Sequence, residues 1–507
     1  MNWSRYQRDV FDAVANTNDS LLIKAVAGAG KSSTIIEAVK HVPRDKNIVF
    51  LAFNKSIAKV LESKINAPNA KCSTLHAFGF SAWRRHIGDA ARMLRVEGGK
   101  TREILYEEDR YEFQERMWYG REIGRLISLM KSSDLQNSPT SEYDEIIKDL
   151  VEFHDLDDEV WDNNGISFAR DIFKISVDIS RKVIDFDDML LMPVMEGARF
   201  DKFDVVFVDE AQDVNAIQIE MIDRMVAPGG RVIAVGDENQ AIYSWRGALS
   251  DSMDQIQKRF HSRSLPLSIS YRCPRAVVAK ARQFVTHIEP HESAPEGLVH
   301  YPGVWNLKNF LPTDAILCRV ARPLIETAFL LIRNRVPCRV VGRDIGKNLE
   351  NVVKKSRCVT VGEFEDWLPE ATKHDIKKAK DNEAKIAAIY DKAETLNVFT
   401  SELRHDDPIQ KLLDSINNLF ADKYGQMVSL STVHKAKGLE FPRVFILDAD
   451  KYMPSKWATQ PHQIRQELNL AYVAATRAMS ELYYISSEFL RDTAVEVSKK
   501  EEVGGLK

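Results

Sequence analysis

The segment AVAGAGKSS, residues 25 to 33, constrains this chain more than any other stretch of it. The run before it, Ser20 to Val26, is short and apolar, and KSSTIIEAVKHV after it has helical spacing through Ile35, Ala38 and Val39. A buried strand that turns on glycines and becomes a helix at once is the opening of a parallel α/β unit. The backbone N–H groups of the turn, from Ala27 through Gly28 and Ala29 to Gly30, can wrap phosphates at the positive end of the helix. Lys31 has the reach for β- and γ-phosphates, Ser32 carries a hydroxyl suited to magnesium, and Ser33 extends the same turn. The strict pattern asks for glycine where this chain has Ala25, so the strand–turn–helix context carries the reading.

The alternation continues. NIVFLAF (Asn47 to Phe53) is expected as a strand and KSIAKVLESKI as a helix. From about Trp83 to Leu190 the pattern turns helical and charged, and strands return at DVVFVDE (Asp204 to Glu210) and RVIAVGD (Arg231 to Asp237). A second α/β region is expected to open near Leu265, with strands in LPLSIS, DAILCRV (Asp314 to Val320), PCRVVGR, MVSLST and RVFILDA (Arg443 to Ala449). Between them lies a charged helical stretch, KHDIKKAKDNEAKIAAIYDKAETL, whose Ile386, Ile389, Tyr390 and Ala393 form one stripe expected to pack in a core. The fold class is therefore α/β: two parallel-sheet domains, each with a mainly helical insertion. The expected spans are 1–85 with 190–262 and insertion 86–189, then 263–350 with 425–492 and insertion 351–424, and a polar tail at 493–507.

A chain of 507 residues exceeds one core, in keeping with that outline. Its net charge of −4 supplies no strong global field for nucleic acid, which argues against a tail-mediated or histone-like binder and leaves a local groove. Five cysteines lie far apart without a C-x-x-C pair, so they read as thiols in a reducing compartment and not as a zinc or iron–sulfur site. With no signal-like segment and no apolar run near the ~20 residues of a membrane span, the expectation is a cytoplasmic protein with no membrane partner.

Two further motifs carry chemistry. FVDEAQD (Phe207 to Asp213) follows an apolar strand and sets two adjacent carboxylates at its end: Asp209 suits magnesium held through water, and Glu210 suits polarising an attacking water. In GDENQAIYSWRGA (Gly236 to Ala248), Gln240 can sense a γ-phosphate or water, while Tyr243 and Trp245 beside Arg246 suit stacking a base and holding a phosphate. DFDDML (Asp185 to Leu190) has three acids and invites a metal reading, but Phe186 and Leu190 at helical spacing make it a helix flank.

The order of these motifs resembles that of superfamily 1 DNA helicases of the UvrD/Rep/PcrA type, over residues 7 to 478. The resemblance is most specific in VDEAQD, the GDxxQ…WRGA stretch, HKAKGLEF and VAATRA. It implies two RecA-like domains, and it gives roles to residues that spacing alone leaves silent. Gln7 matches the adenine-reading glutamine. FNKSIAK, with Phe53, Asn54 and Lys55, and STLHAF, with Thr74 and His76, resemble DNA-backbone motifs. SYRCP supplies Tyr271 to stack on adenine and Arg272 as a first catalytic arginine; VAATRA supplies the second, Arg477. In TVHKAKGLEFP, Thr432 and His434 would meet DNA and Glu440 the ribose. Ala25 is common in this group, and Ser32 keeps the hydroxyl of the usual threonine. FNKSIAK is closer to the F-box DNA helicase branch, and the gap from Arg272 to Thr432 is short for the group, which implies a reduced second insertion.

The function so implied is ATP-dependent translocation on single-stranded DNA and duplex unwinding, with 3′→5′ polarity. ATP and Mg2+ are the implied ligands, and single strands and duplex junctions the implied partners. A monomer serving repair, recombination, replication or defence proteins fits the same picture. Two other readings stay open: an ATP-gated DNA sensor or nuclease partner that does not unwind, and an unrelated phosphate-loop enzyme such as a small-molecule kinase.

Overall fold

The computed structural model describes residues 3–52, 55–65, 68–107, 119–120, 122–133, 135–154, 156, 160–242, 251–379, 383–421 and 426–491. It forms two compact units, Met1–Ser268 and Ile269–Lys507.

The first unit holds a six-stranded sheet of β1 (Leu21–Ala25), β2 (Ile48–Leu51), β3 (Ala70–Ser73), β4 (Phe203–Val208), β5 (Val226–Gly236) and β6 (Arg263–Leu267). Their spatial order is β3-β2-β4-β5-β1-β6, and every pairing is parallel. The central strands are apolar almost throughout because helices cover both faces; all four residues of β2 are buried, as are five of six in β4. Arg263–Leu267, expected to begin the second region, pairs with β1 residue for residue from Leu21↔Arg263 to Ala25↔Leu267. The boundary therefore falls after the strand and not before it: LPLSIS is split, and only Ile269–Ser270 joins the second unit. Apolar spacing could not reveal this, since an edge strand has the same pattern in either sheet.

Helices Lys100–Glu107, Ile123–Ser132, Tyr143–Phe153 and Asn163–Asp178 occupy the region expected to be helical. Two short strands, Arg95–Val96 and Val183–Ile184, also pair there. Leu126, Ile127, Ile172 and Phe173 share one continuous core with Val206 and Ile222 beside the sheet, so this segment is not separately cored.

Two of the three acids of DFDDML, Asp185 and Asp188, are committed to lysines, while Asp187 accepts from Ser128 Oγ at 2.6 Å. Lys100 Nζ donates to Asp188 Oδ2 at 2.6 Å and to the Ser176 carbonyl at 2.6 Å; Lys131 Nζ lies 2.6 Å from Asp185 Oδ2 and 2.8 Å from Asp188 Oδ1. Phe186, expected in a helix flank, is 60% exposed, and the helix begins only at Asp188. Burial opposes the charge on Asp188, but Lys131 and Lys100 outweigh it and hold its carboxyl below the usual range. Removing one partner of such a pair strands the others. Asp188→Asn is expected to cost about 3–5 kcal/mol, read as a lowered denaturant midpoint at unchanged slope; a midpoint equal to wild type would mean that the lysines find other partners.

The second unit is built on β7 (Leu298–His300), β8 (Ala315–Cys318), β9 (Cys338–Val341), β10 (Val428–Thr432), β11 (Phe441–Leu447) and β12 (Ala478–Ile485). Their order is β7-β12-β11-β8-β10-β9, again parallel throughout. Helices Arg343–Ser356, Val361–Ala379, Glu383–Thr400 and Ile409–Phe420 fill the stretch between β9 and β10. The expected stripe on the third of these is displaced: Ile386 and Ile389 are half-buried and Tyr390 is 49% exposed, whereas Ala393, Leu396 and Phe399 enter the core. Among the described residues the five cysteines are all free thiols, and no helix is long and apolar enough to cross a membrane.

Candidate active site

The C-terminal ends of β1, β4 and β5 carry the acidic and phosphate-binding motifs. Parallel strands end together on one edge, which is where open α/β sheets bind ligands. After β1 the chain turns through Gly28 at φ 72° and Gly30 at φ 74°, left-handed values that glycine adopts without a Cβ clash, and the helix Lys31–Val39 starts at once. Ala27 and Ala29 are buried beneath the turn, while Ser32 and Ser33 are exposed on the helix's first turn. Gln7 lies behind it. Its Nε2 donates to Thr34 Oγ1 at 3.0 Å, and Oε1 accepts from Ser4 N at 3.0 Å within a capping box for the helix Arg5–Asn16. The side chain expected to read adenine is thus 4% exposed and also ties the first helix to the phosphate loop.

Asp209 and Glu210 follow β4. Glu210 sits at φ 52°, an unusual value for a side chain with a Cβ, and one whose strain of about 1–3 kcal/mol is typical of functional turns. That turn brings its Oε2 to 3.1 Å from Lys31 Nζ. Asp209 is 5% exposed, and its Oδ1 accepts from Glu210 N at 2.9 Å. Asp237, at the end of β5, is fully buried and accepts from Gln240 Nε2 at 2.6 Å.

The charges here do not balance. Burial acts most strongly on Lys31 and would lower its pKa, but Glu210, Asp237 and Asp209 together overcome it and raise the ammonium above its ordinary value. Burial, then the neighbouring Glu210, pushes the Asp209 carboxyl up to about 7, and burial likewise raises Asp237. Three carboxylates around one ammonium leave negative charge in a desolvated place. The chemistry of these groups is compatible with a divalent cation.

In the second unit, Arg272 and Arg477 meet around one peptide. Arg272 Nη1 donates to the Thr476 carbonyl at 3.2 Å and its Nη2 pairs with Glu440. Arg477 is 1% exposed and donates to the carbonyls of Val473 and Leu439 at 3.1 and 3.2 Å. Burial, with Arg272 alongside, brings its pKa down to about 10, still charged at neutral pH. Tyr271 is 40% exposed, its ring centroid 4.9 Å from that of His291. Glu440, expected at a ribose, is here the partner of the first arginine.

The expected DNA residues fall in three places. Phe53, Asn54, Tyr243, Trp245 and Arg246 lie outside the described residues. Lys55 is exposed at the start of the helix Lys55–Lys64, and Thr74 caps the helix Leu75–Ile87, accepting from Ala77 N at 3.2 Å. Burial lowers the pKa of His76, so its ring is neutral at pH 7 and offers one N–H. Thr432 and His434 line a cavity of about 700 Å3 whose walls include Arg319, Arg322, Lys456 and Trp457. Lys456 Nζ stands 4.6 Å over the Trp457 ring. Neither that pair nor Gln212, which touches Glu210, stood out in the sequence. For Gln212 the one sequence cue is its place two residues beyond Glu210 on the same turn.

Comparison with known proteins agrees with this arrangement. The family model for the UvrD/REP helicase N-terminal domain matches residues 6–261, and that for the UvrD-like helicase C-terminal domain matches residues 427–485. The chain is 24% identical to F-box DNA helicase protein 1 of Schizosaccharomyces pombe, over 94% of this chain and 56% of the relative. It is 22% identical to a probable DNA helicase of Mycoplasma pneumoniae, over 94% of this chain and 82% of the relative. To the ATP-dependent DNA helicase PcrA of Staphylococcus aureus it is 22% identical, over 57% of this chain and 40% of the relative. The chain thus spans about half the length of the F-box relative and four fifths of the mycoplasmal one.

Proposed function

This chain belongs to the UvrD/Rep helicase family, and from that premise we propose that it hydrolyses ATP to move 3′→5′ along single-stranded DNA and open duplexes. The observation that carries the reading is the contact of Lys31 with Glu210 at the mouth of the glycine turn, an ammonium and a carboxylate side by side. Residues 1–85 and 190–267 would be the first RecA-like domain, with 86–189 inserted. Residues 269–350 and 425–492 would be the second, with 351–424 as a reduced insertion.

In this reading the N–H groups of residues 27–33 and the Lys31 ammonium hold the phosphates, and Glu210 orients the attacking water. Gln7 and Tyr271 serve the adenine and Glu440 the ribose. Ser32 and Asp209 would hold magnesium, which would neutralise negative charge on the nucleotide phosphates. Gln240 senses the γ-phosphate, and Arg272 and Arg477 stabilise the charge that grows on it. Phe53, Asn54, Lys55, Thr74, His76, Tyr243, Trp245, Arg246, Thr432 and His434 make the DNA track.

The test is unwinding of duplexes bearing either a 3′ or a 5′ single-stranded tail, with ATP and magnesium. Only the 3′-tailed substrate is expected to open. Opening of the 5′-tailed one alone would refute the polarity, and ATP turnover without opening of either would favour a DNA-gated sensor. Trp245→Ala should weaken single-strand binding by about 1–3 kcal/mol, one stacking energy, and should harm translocation more than basal hydrolysis.

A further inference from the structure

Glu210 is held from two sides. Lys31 Nζ and Gln212 Nε2 both reach its Oε2, at 3.1 and 2.5 Å. Gln212 is 1% exposed, and its own Oε1 accepts from Asp237 N at 3.0 Å. Asp237 in turn accepts from Gln240 Nε2 at 2.6 Å. One carboxamide thus bridges the end of β4 to the end of β5, with its donor on one strand end and its acceptor on the other. The end of β5 is shaped for it: a Cβ on Gly236 would come within 2.6 Å of Gln212 Oε1 and 3.0 Å of both Gln212 N and Met253 Sδ.

A bound nucleotide changes what Lys31 can do. An ammonium turned to β- and γ-phosphates gives up much of its hold on Glu210, and the carboxylate then needs another donor to keep its aim and its charge. We propose that Gln212 is that donor: a positioning residue that fixes the Glu210 carboxylate while Lys31 is engaged on phosphate, and that locks it in register with Asp237 and Gln240. The inference deepens the function proposed above and rests on the assignment of Glu210 as the water-orienting residue. It assigns the glutamine of VDEAQD a part in turnover and none in nucleotide binding.

The test compares wild type, Gln212→Leu and Gln212→Glu in DNA-stimulated ATP hydrolysis and in binding of a non-hydrolysable ATP analogue. Gln212→Leu is expected to lower kcat about 10- to 100-fold, the worth of one hydrogen bond to a charged group, with analogue affinity changed less than about threefold. Gln212→Glu keeps the length of the side chain but offers Glu210 no N–H, and should lower kcat with the same split between turnover and affinity. An active wild type with kcat of Gln212→Leu intact, or with a loss confined to KM, would overturn the inference. Should the leucine variant not fold, a wild-type kcat in Gln212→Glu overturns it instead. A wild type that hydrolyses no ATP would sink the assignment of Glu210 itself, a separate outcome.

Discussion

Lys31→Ala and Glu210→Gln are each expected to silence DNA-stimulated ATP hydrolysis, and for opposite reasons. Lys31 is the cation nearest the acids of the site, and Glu210, Asp237 and Asp209 all act on it. Without it the loop keeps its N–H groups but loses the charge that meets the β- and γ-phosphates, while three carboxylates remain to repel them. Nucleotide affinity should therefore fall along with turnover. Glu210→Gln does the reverse to the local field, removing one carboxylate and keeping the shape, so ATP should still bind and accumulate unhydrolysed. Loss of a group that orients and polarises the attacking water lowers kcat by about 10²–10⁴. The same exchange should leave thermal stability unchanged or raised, since it relieves repulsion against Asp209, whose carboxyl Glu210 helps to push up to about 7. Steady-state hydrolysis, equilibrium binding and a melting curve on the two variants separate these effects. Near-wild-type turnover in Glu210→Gln would remove it from the role of water-orienting residue, whatever became of Lys31.

That site was largely legible in the sequence because its parts are local. A glycine turn between β1 and a helix, and two acids after β4, each need only a few consecutive residues to define their geometry. What connects them is not local. Gln212 reads as one more polar residue in an acidic turn until β4 and β5 are placed side by side; only then does its amide fall between Glu210 and Asp237. The lysines that hold Asp185 and Asp188 are likewise distant, Lys100 and Lys131 lying 88 and 54 residues from the acids they meet. Apolar spacing found most strands but missed β3, whose residues are half-exposed at an edge, β7, a three-residue edge strand with two exposed residues, and β12, whose first half carries Ser480 and Glu481. It also assigned β6 to the wrong sheet, because an edge strand's partner is chosen by where the chain returns and not by its own side chains.

The arginines of the second unit should show the steepest loss of all, with the least change in binding. Arg477 is buried and its guanidinium is spread over two backbone carbonyls, so its position is fixed in advance. A charge held that way costs little reorganisation when a transition state forms, which is where preorganised electrostatics contribute most. Arg272 is differently placed: one nitrogen is on the Thr476 carbonyl, another is paired with Glu440, and Nε is buried with no hydrogen-bond partner among the described residues. If both serve the γ-phosphate, Arg272→Ala and Arg477→Ala should each cut kcat by about 10³–10⁵ while nucleotide affinity moves only modestly, because the charge they meet grows chiefly in the transition state. The two should differ in stability. Arg477→Ala empties a buried space beside Val473 and Leu439 and should unfold more readily, so Arg477→Lys is the needed companion, keeping the charge without the planar fork. A folded Arg477→Lys that stays far below wild type in kcat would confirm that the fork matters, and full activity in it would reduce the role to bulk charge. An affinity loss with kcat intact in either alanine variant would take that arginine out of the transition state altogether.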